Sequence, residues 1–229
     1  MNQYCHRVDL YAGVHKGLRA CMAHVLTATG RMDTTDAEET ARTLDEVRYL
    51  IALCATHLKH EDTFVHSAMQ ARRPGSAATT LGDHEHHHQA FVDLETAVRA
   101  VENTSGAACA AMARELYSLL ARFVADNYAH MHVEETHNNA VLWAEYTDAE
   151  LLAIKGRIIA AIPPEKNLAF LRWMVPAMTP AERAELFIGA RATMPPPAFE
   201  AGLAVVKNHL TARDWFKLQH VLQPLAAAA

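Results

Sequence analysis

The stretch HLKHED, residues 57–62, places His57 and Glu61 four residues apart. On an α-helix two residues at this spacing lie on the same face, so their side chains can reach one point. The same spacing of potential ligands returns twice downstream, in HEHHH (residues 84–88) and in HMHVEE (residues 130–135). Three such pairs predict three helices that direct imidazole and carboxylate groups toward a common site.

The sequence around these stretches predicts four long helices. Apolar residues recur at helical spacing, and 9 Pro and 9 Gly in 229 residues leave little to interrupt a helix, since most Pro follow residue 160. We expect helices over residues 4–30, from Thr35 to the break at Pro74, over about 79–103 and over about 107–145. Long amphipathic helices with short connections favour an up-down-up-down four-helix bundle.

After residue 146 the sequence changes to shorter segments separated by Pro and by capping residues such as Thr179 and Thr211. About five short helices are predicted there, with enough large apolar residues to pack together. We therefore expect an all-α protein of two domains, a bundle over residues 1–146 and a C-terminal helical extension over residues 147–229.

Composition excludes several classes of function. A formal net charge of -5 provides no basic surface for nucleic acid. The 4 Cys form no Cys-x-x-Cys pair, which argues against a zinc ribbon or a disulfide framework. No run approaches the roughly 18 apolar residues of a membrane span. We expect a soluble cytoplasmic protein with neither nucleic acid nor membrane as a partner.

Histidine is the unusual component, because 13 of the 15 His precede residue 147. The first helix supplies one candidate ligand and each of the next three supplies a pair. The candidate metal ligands are His15, His57, Glu61, His84, His88, His130 and Glu134. Five imidazoles and two carboxylates suffice for two iron ions when the carboxylates bridge, with one coordination position open for dioxygen.

These segments, together with HKGLR at residues 15–19, resemble the hemerythrin and bacterial HHE cation-binding proteins over roughly residues 4–146. The resemblance implies a non-heme di-iron centre, in which the five histidines are terminal ligands and the two glutamates bridge two iron ions that can share an oxo or hydroxo bridge. The invertebrate oxygen carriers space the last pair as His-x-x-x-x-Asp. Here His130 and Glu134 follow the bacterial spacing, which argues against simple oxygen carriage. The C-terminal region also looks like an extension of some bacterial members.

Several alternatives to this ligand set stay open. His87 can replace His88 by a small shift of register, and manganese or a mixed-metal pair can replace iron. Zinc or nickel storage by the stretch at residues 84–88 is a further alternative, which the carboxylate-containing pairs disfavour. Six other histidines of the bundle are expected on solvated faces or beside the ligands: His60, His66, His86, His87, His132 and His137.

The leading functional hypothesis is reversible binding of dioxygen, or of a related diatomic molecule such as nitric oxide, for sensing, delivery or detoxification. The alternative is a di-iron oxidase, oxygenase or peroxidase that acts on a small-molecule substrate in a pocket covered by the C-terminal helices. In that case Tyr11, one helical turn before His15, supplies a proton or an electron. A third hypothesis is an iron-level switch with the C-terminal region as its interaction surface, and a homodimer is compatible with all three.

Overall fold

The computed structural model describes residues 7–223, and those residues contain helices and no strand. The residues expected to begin the first helix, 4–6, lie outside that range. Two long helical stretches of the bundle consist of several segments, and each α-helical segment has its own label. The α-helices of the bundle are α1 (Ala12–Gly30), α2 (Ala37–His60), α3 (Ser67–Arg72), α4 (Ala78–Glu102), α5 (Gly106–Val133) and α6 (Asn139–Glu145).

The first helix begins at Ala12, not at residue 4 as the sequence predicted. The Asp9 carboxylate accepts hydrogen bonds from the backbone N–H groups of Tyr11 and Ala12, so it caps the start of α1. The preceding chain is held in a non-helical course, because Arg7 donates to the backbone carbonyls of Trp143 and Tyr146. These hydrogen bonds stabilise the non-helical course more than the helical spacing of apolar residues before Asp9 stabilises a helix.

Two short π-helical segments interrupt the long helices without breaking them. The first π segment, Glu61–His66, joins α2 to α3, and the second π segment, Glu134–Asn138, joins α5 to α6. The result is one continuous helix over residues 37–72 and another over residues 106–145. Both end close to the positions expected from the sequence, and α2 starts after the N-cap Asp36, whose carboxylate accepts from two backbone N–H groups.

The chain divides into two compact units, and the division differs from the boundary expected at residue 146, which stays a prediction. Among the residues that the structure describes, the first unit contains residues 7–12 and 21–158. In it α4 packs along α5 and against α2, around buried residues of all three helices: Leu44, Val47, Leu50, Leu94, Val98, Leu116 and Leu120. A second group of buried side chains in this unit includes Val65, Met69, Leu142, Leu151 and Ile154.

The second unit contains residues 13–20 and, within the described range, residues 159–223. Five short helices follow residue 146 in the described chain, as predicted. They are α7 (Asp148–Ala161), which falls mostly in the first unit, and α8 (Pro164–Ala177), α9 (Pro180–Thr193), α10 (Pro196–Lys207) and α11 (Ala212–Leu222) in the second. The core of the second unit is apolar and consists of Val175, Phe187, Phe199, Val206 and Leu218.

Gly17 permits a close helix contact within the second unit. A Cβ at this position would lie 2.9 Å from the Met174 Cα and 2.7 Å from the Phe170 ring. Such distances are shorter than real Cβ contacts, so the glycine is required by packing. No helix among residues 7–223 is both long enough and apolar enough to cross a membrane.

Candidate metal centre

Two buried carboxylates define the candidate site. Glu61 and Glu134 are each the first residue of a π segment and each follows a histidine by four residues, His57 and His130. The Nε2 atom of His57 lies 3.0 Å from Oε1 of Glu61, and that of His130 lies 3.3 Å from Oε2 of Glu134. The i, i+4 pairing expected from the sequence is therefore present on both helices.

In the described chain the potential ligand atoms form three groups whose members lie within 4.8 Å of one another. One consists of Asp62, His66 and His84, and the other two overlap at their carboxylates. Of the overlapping groups, one consists of His15, His57, Glu61 and Glu134, and the other of Glu61, His84, His130 and Glu134. We call the six residues of these two groups the His/Glu cluster. Both carboxylates belong to both groups, which is the arrangement required of ligands shared between two neighbouring metal ions.

Acidic side chains orient two of the imidazoles. His84 is bonded through Nδ1 to Asp62 at 2.8 Å, and His130 through Nδ1 to Asp83 at 3.2 Å. A carboxylate on Nδ1 fixes the tautomer of a metal-ligating histidine and leaves Nε2 for the metal. The two Nε2 atoms lie 3.1 Å apart, and two ligands about 2.1 Å from one metal ion at right angles would be separated by about 3 Å.

The charges of the cluster set the protonation of its imidazoles. Burial lowers the pKa of His130, but its hydrogen bond and proximity to Glu134 outweigh burial and raise the pKa to about 9. Burial lowers the pKa of His84. A cation that binds His130 must displace its proton, so binding releases protons at neutral pH.

These donors suit a borderline divalent cation. The cluster offers imidazole nitrogen and carboxylate oxygen without thiolate, a combination that suits iron, manganese or zinc and not copper(I). Two carboxylates packed against each other in a bundle interior are costly to bury without a counter-charge. A metal pair would supply that counter-charge.

The family model of the hemerythrin HHE cation-binding domain matches residues 6–141 of the chain. The chain belongs to this family. No curated protein and no solved structure matches the chain. The HHE domain binds metal cations, and the His/Glu cluster contains the residues that can hold them here.

One residue of the HHE ligand pattern is not brought into the cluster. His88 is exposed and packs its ring edge-on to Phe91, with 5.8 Å between ring centroids. His87 is 4% exposed instead, and its ring centroid lies 4.9 Å from that of His130. Burial and the neighbouring charges of His130 and His84 lower the pKa of His87 to about 4, so its ring is neutral.

The sequence predicted His66 on a solvated face or in a supporting role beside the ligands, and did not predict it as a ligand. In an α-helix residues five apart differ by about 140° around the axis, so His66 and Glu61 would point in different directions. The π-helical i→i+5 pattern brings them to one side, and His66 is 1% exposed with Nε2 3.7 Å from Oε1 of Glu134. A carboxylate-histidine spacing of five gives no signal under α-helical periodicity.

Tyr11 lies next to the His/Glu cluster, as its position one helical turn before His15 suggested. Its side chain is fully buried, and its hydroxyl accepts a hydrogen bond from the Asn138 amide at 3.3 Å. Burial, followed by the negative charges of Glu134 and Glu61, raises the pKa of this phenol. Tyr11 is therefore a neutral hydrogen-bond donor beside both carboxylates.

Proposed function

We propose that this HHE protein is a non-heme di-iron protein that binds dioxygen, or a related diatomic molecule such as nitric oxide, for sensing, delivery or detoxification. The observation that carries the proposal is the sharing of Glu61 and Glu134 between the two ligand groups. The two oxygens of each carboxylate face different histidines. In Glu61, Oε1 lies 3.0 Å from Nε2 of His57 and Oε2 lies 3.7 Å from Nε2 of His84.

In this proposal His15 and His57 hold one iron, His84 and His130 hold the other, and the two carboxylates bridge them. A ferrous pair with an open coordination position supplies the dioxygen-binding chemistry. The protein orients the imidazoles through Asp62 and Asp83 and surrounds the cluster with buried side chains. His88, which the resemblance named as a ligand, is not required by this arrangement.

A second candidate function is a di-iron oxidase or peroxidase, and Tyr11 is the observation that favours it. A buried phenol held by Asn138 beside both bridging carboxylates can donate a hydrogen bond or a proton to a reacting group. A binding protein does not need such a donor, although a donor also stabilises a reversibly bound oxygen species.

The test is the visible spectrum of the anaerobic, iron(II)-loaded chain on addition and then removal of dioxygen, together with the iron content per chain. We expect two irons and a charge-transfer band that appears and reverses. Irreversible oxidation would favour the oxidase, and it should slow in Tyr11→Phe. Glu134→Ala and His57→Ala should lose iron, whereas Glu115→Ala, an exposed site on α5, should retain both. Two irons bound with unchanged affinity in both ligand variants would contradict the proposal.

A further inference from the structure

His66 has the same construction as the two oriented histidines of the His/Glu cluster. Its Nδ1 atom is bonded to Oδ1 of Asp62 at 3.0 Å, the same oxygen that holds Nδ1 of His84. Its Nε2 atom faces Oε1 of Glu134 at 3.7 Å. A metal-ligating histidine usually has a carboxylate on one ring nitrogen and the metal on the other.

The distance from His66 to the carboxylates of the cluster matches that of His84 and is longer than those of His57 and His130. Nε2 of His84 also lies 3.7 Å from its nearest carboxylate oxygen, on Glu61. Two ligand atoms that each lie about 2.1 Å from one metal ion are separated by at most about 4.2 Å. The ring centroids of His66 and His84 are 4.9 Å apart, equal to the separation of His84 from His130. His66 therefore lies within ligand reach of the oxygen of Glu134.

The other contact of Nε2 is with the hydroxyl of Thr80, at 3.2 Å. That hydroxyl also donates to the backbone carbonyl of Ala77 at 3.2 Å and accepts from the Asn138 amide at 3.4 Å. A hydroxyl has one hydrogen, and the Ala77 carbonyl accepts that of Thr80, so the hydrogen keeps an acceptor when Nε2 of His66 turns to another group. If His66 binds a metal, the buried Thr80 hydroxyl therefore still has an acceptor for its hydrogen.

We infer that His66 is a further metal ligand, which coordinates through Nε2 and takes the place of the exposed His88 as the fifth imidazole of the metal pair. The inference rests on the proposed metal binding and adds a ligand to it. The π segment explains how a residue five positions after Glu61 arrives at the site. Five residues after Glu134 the chain has an amide, Asn139 at the start of α6, so only the first π segment brings an imidazole from that position.

The test compares His66→Ala with His88→Ala in the full chain loaded anaerobically with iron(II). The readouts are iron per chain, iron affinity by competition with a chelator, and the number of imidazole ligands from X-ray absorption. We expect wild type and His88→Ala to give five imidazoles per metal pair. His66→Ala should give four, bind one iron at least about tenfold more weakly, and regain affinity when free imidazole is added.

An unchanged imidazole count in His66→Ala, or a lower count in His88→Ala, would overturn the inference. A wild-type chain that binds no iron would instead overturn the proposed function. Circular dichroism of the metal-free variants checks folding, and His66→Gln keeps a polar side chain of similar length if His66→Ala fails to fold. His137→Ala is a matched control, because His137 is an exposed histidine of the second π segment.

Discussion

The His/Glu cluster and the core of the second unit bury side chains of opposite kinds. Around the cluster the bundle buries carboxylates and imidazoles, which oppose folding unless they are neutralised or bound. The core formed by α8–α11 is apolar, and its one buried guanidinium, Arg183, is bonded to the Met178 carbonyl and paired with Asp214. A group that weakens the fold is retained where function requires it, which identifies the bundle and not the C-terminal core as the functional interior.

The largest expected effect on stability is at the apolar core. Phe187 is buried and packs edge-on against Phe199 with 6.2 Å between ring centroids, so Phe187→Ala should lower the free energy of unfolding of its unit by roughly 3–5 kcal/mol. The measurement is hydrogen exchange of α9 and α10 amides, combined with urea denaturation.

The iron content of Phe187→Ala shows whether the apolar core of the second unit affects the His/Glu cluster. His15 belongs to the second unit, but no candidate ligand lies in α8–α11, whose core Phe187→Ala changes. Phe187→Ala should therefore bind as much iron as wild type. Ile188→Ala, at a side chain 49% exposed on the same helix, should change stability by less than about 0.5 kcal/mol. Loss of iron in Phe187→Ala would show that the core of α8–α11 is needed to hold the metal site.

Inside the bundle, at His87, a substitution is expected to raise the free energy of unfolding. Its Nδ1 atom is buried without a hydrogen-bond partner, and its neutral ring contacts Phe123 with 6.1 Å between centroids. His87→Leu should therefore raise the free energy of unfolding of the metal-free chain by roughly 1–3 kcal/mol. His88→Leu, at an exposed position of the same helix, should leave it within about 0.5 kcal/mol. Urea denaturation with a chelator measures both.

The same pair of variants tests the ligand register. His87 lies outside the groups of ligand atoms in the described chain, so His87→Leu should keep the iron content of wild type. If iron were lost, His87 would be a ligand, and its unpartnered nitrogen would be explained by the metal and not by packing.

The sequence predicted the helices and most of the cluster because both depend on local spacing. Four-residue pairs on amphipathic helices placed Glu61 with His57 and Glu134 with His130, and the pattern of Pro and capping residues predicted five helices after residue 146. The HHE family is confirmed. These features follow from α-helical periodicity and need no knowledge of tertiary contacts.

Other features depended on contacts that a single sequence does not reveal. The start of α1 is determined by Asp9 and by bonds from Arg7 to the distant carbonyls of Trp143 and Tyr146. The burial of His87 in place of His88 depends on a rotation of α4 that spacing alone does not determine. His66 required π-helical geometry, which α-helical periodicity excludes.

The smallest expected effect is at the surface of the bundle unit, where a charge is stabilised without burial. Glu150 is partly exposed and pairs with Arg72, and it also accepts a hydrogen bond from the Thr147 backbone N–H at 2.8 Å. The hydrogen bond with Arg72, followed by that from Thr147, lowers the pKa of Glu150 from 4.5 to about 2. A carboxyl with a lowered pKa contributes stability above its unfolded pKa, and that contribution disappears as pH falls from about 4.5 through 2.

Glu150→Gln should therefore lower the melting temperature slightly at pH 7, and the difference from wild type should shrink between pH 5 and pH 2. The pair is exposed and screened, so high salt should also reduce the difference. Thermal denaturation of the metal-free chain at several pH values is the measurement, with Glu115→Gln, exposed on α5, as the control. A difference that stayed constant down to pH 2 would mean that Glu150 acts through the cap at Thr147 in either protonation state. It would also mean that the bundle unit gains no stability from the charge of Glu150.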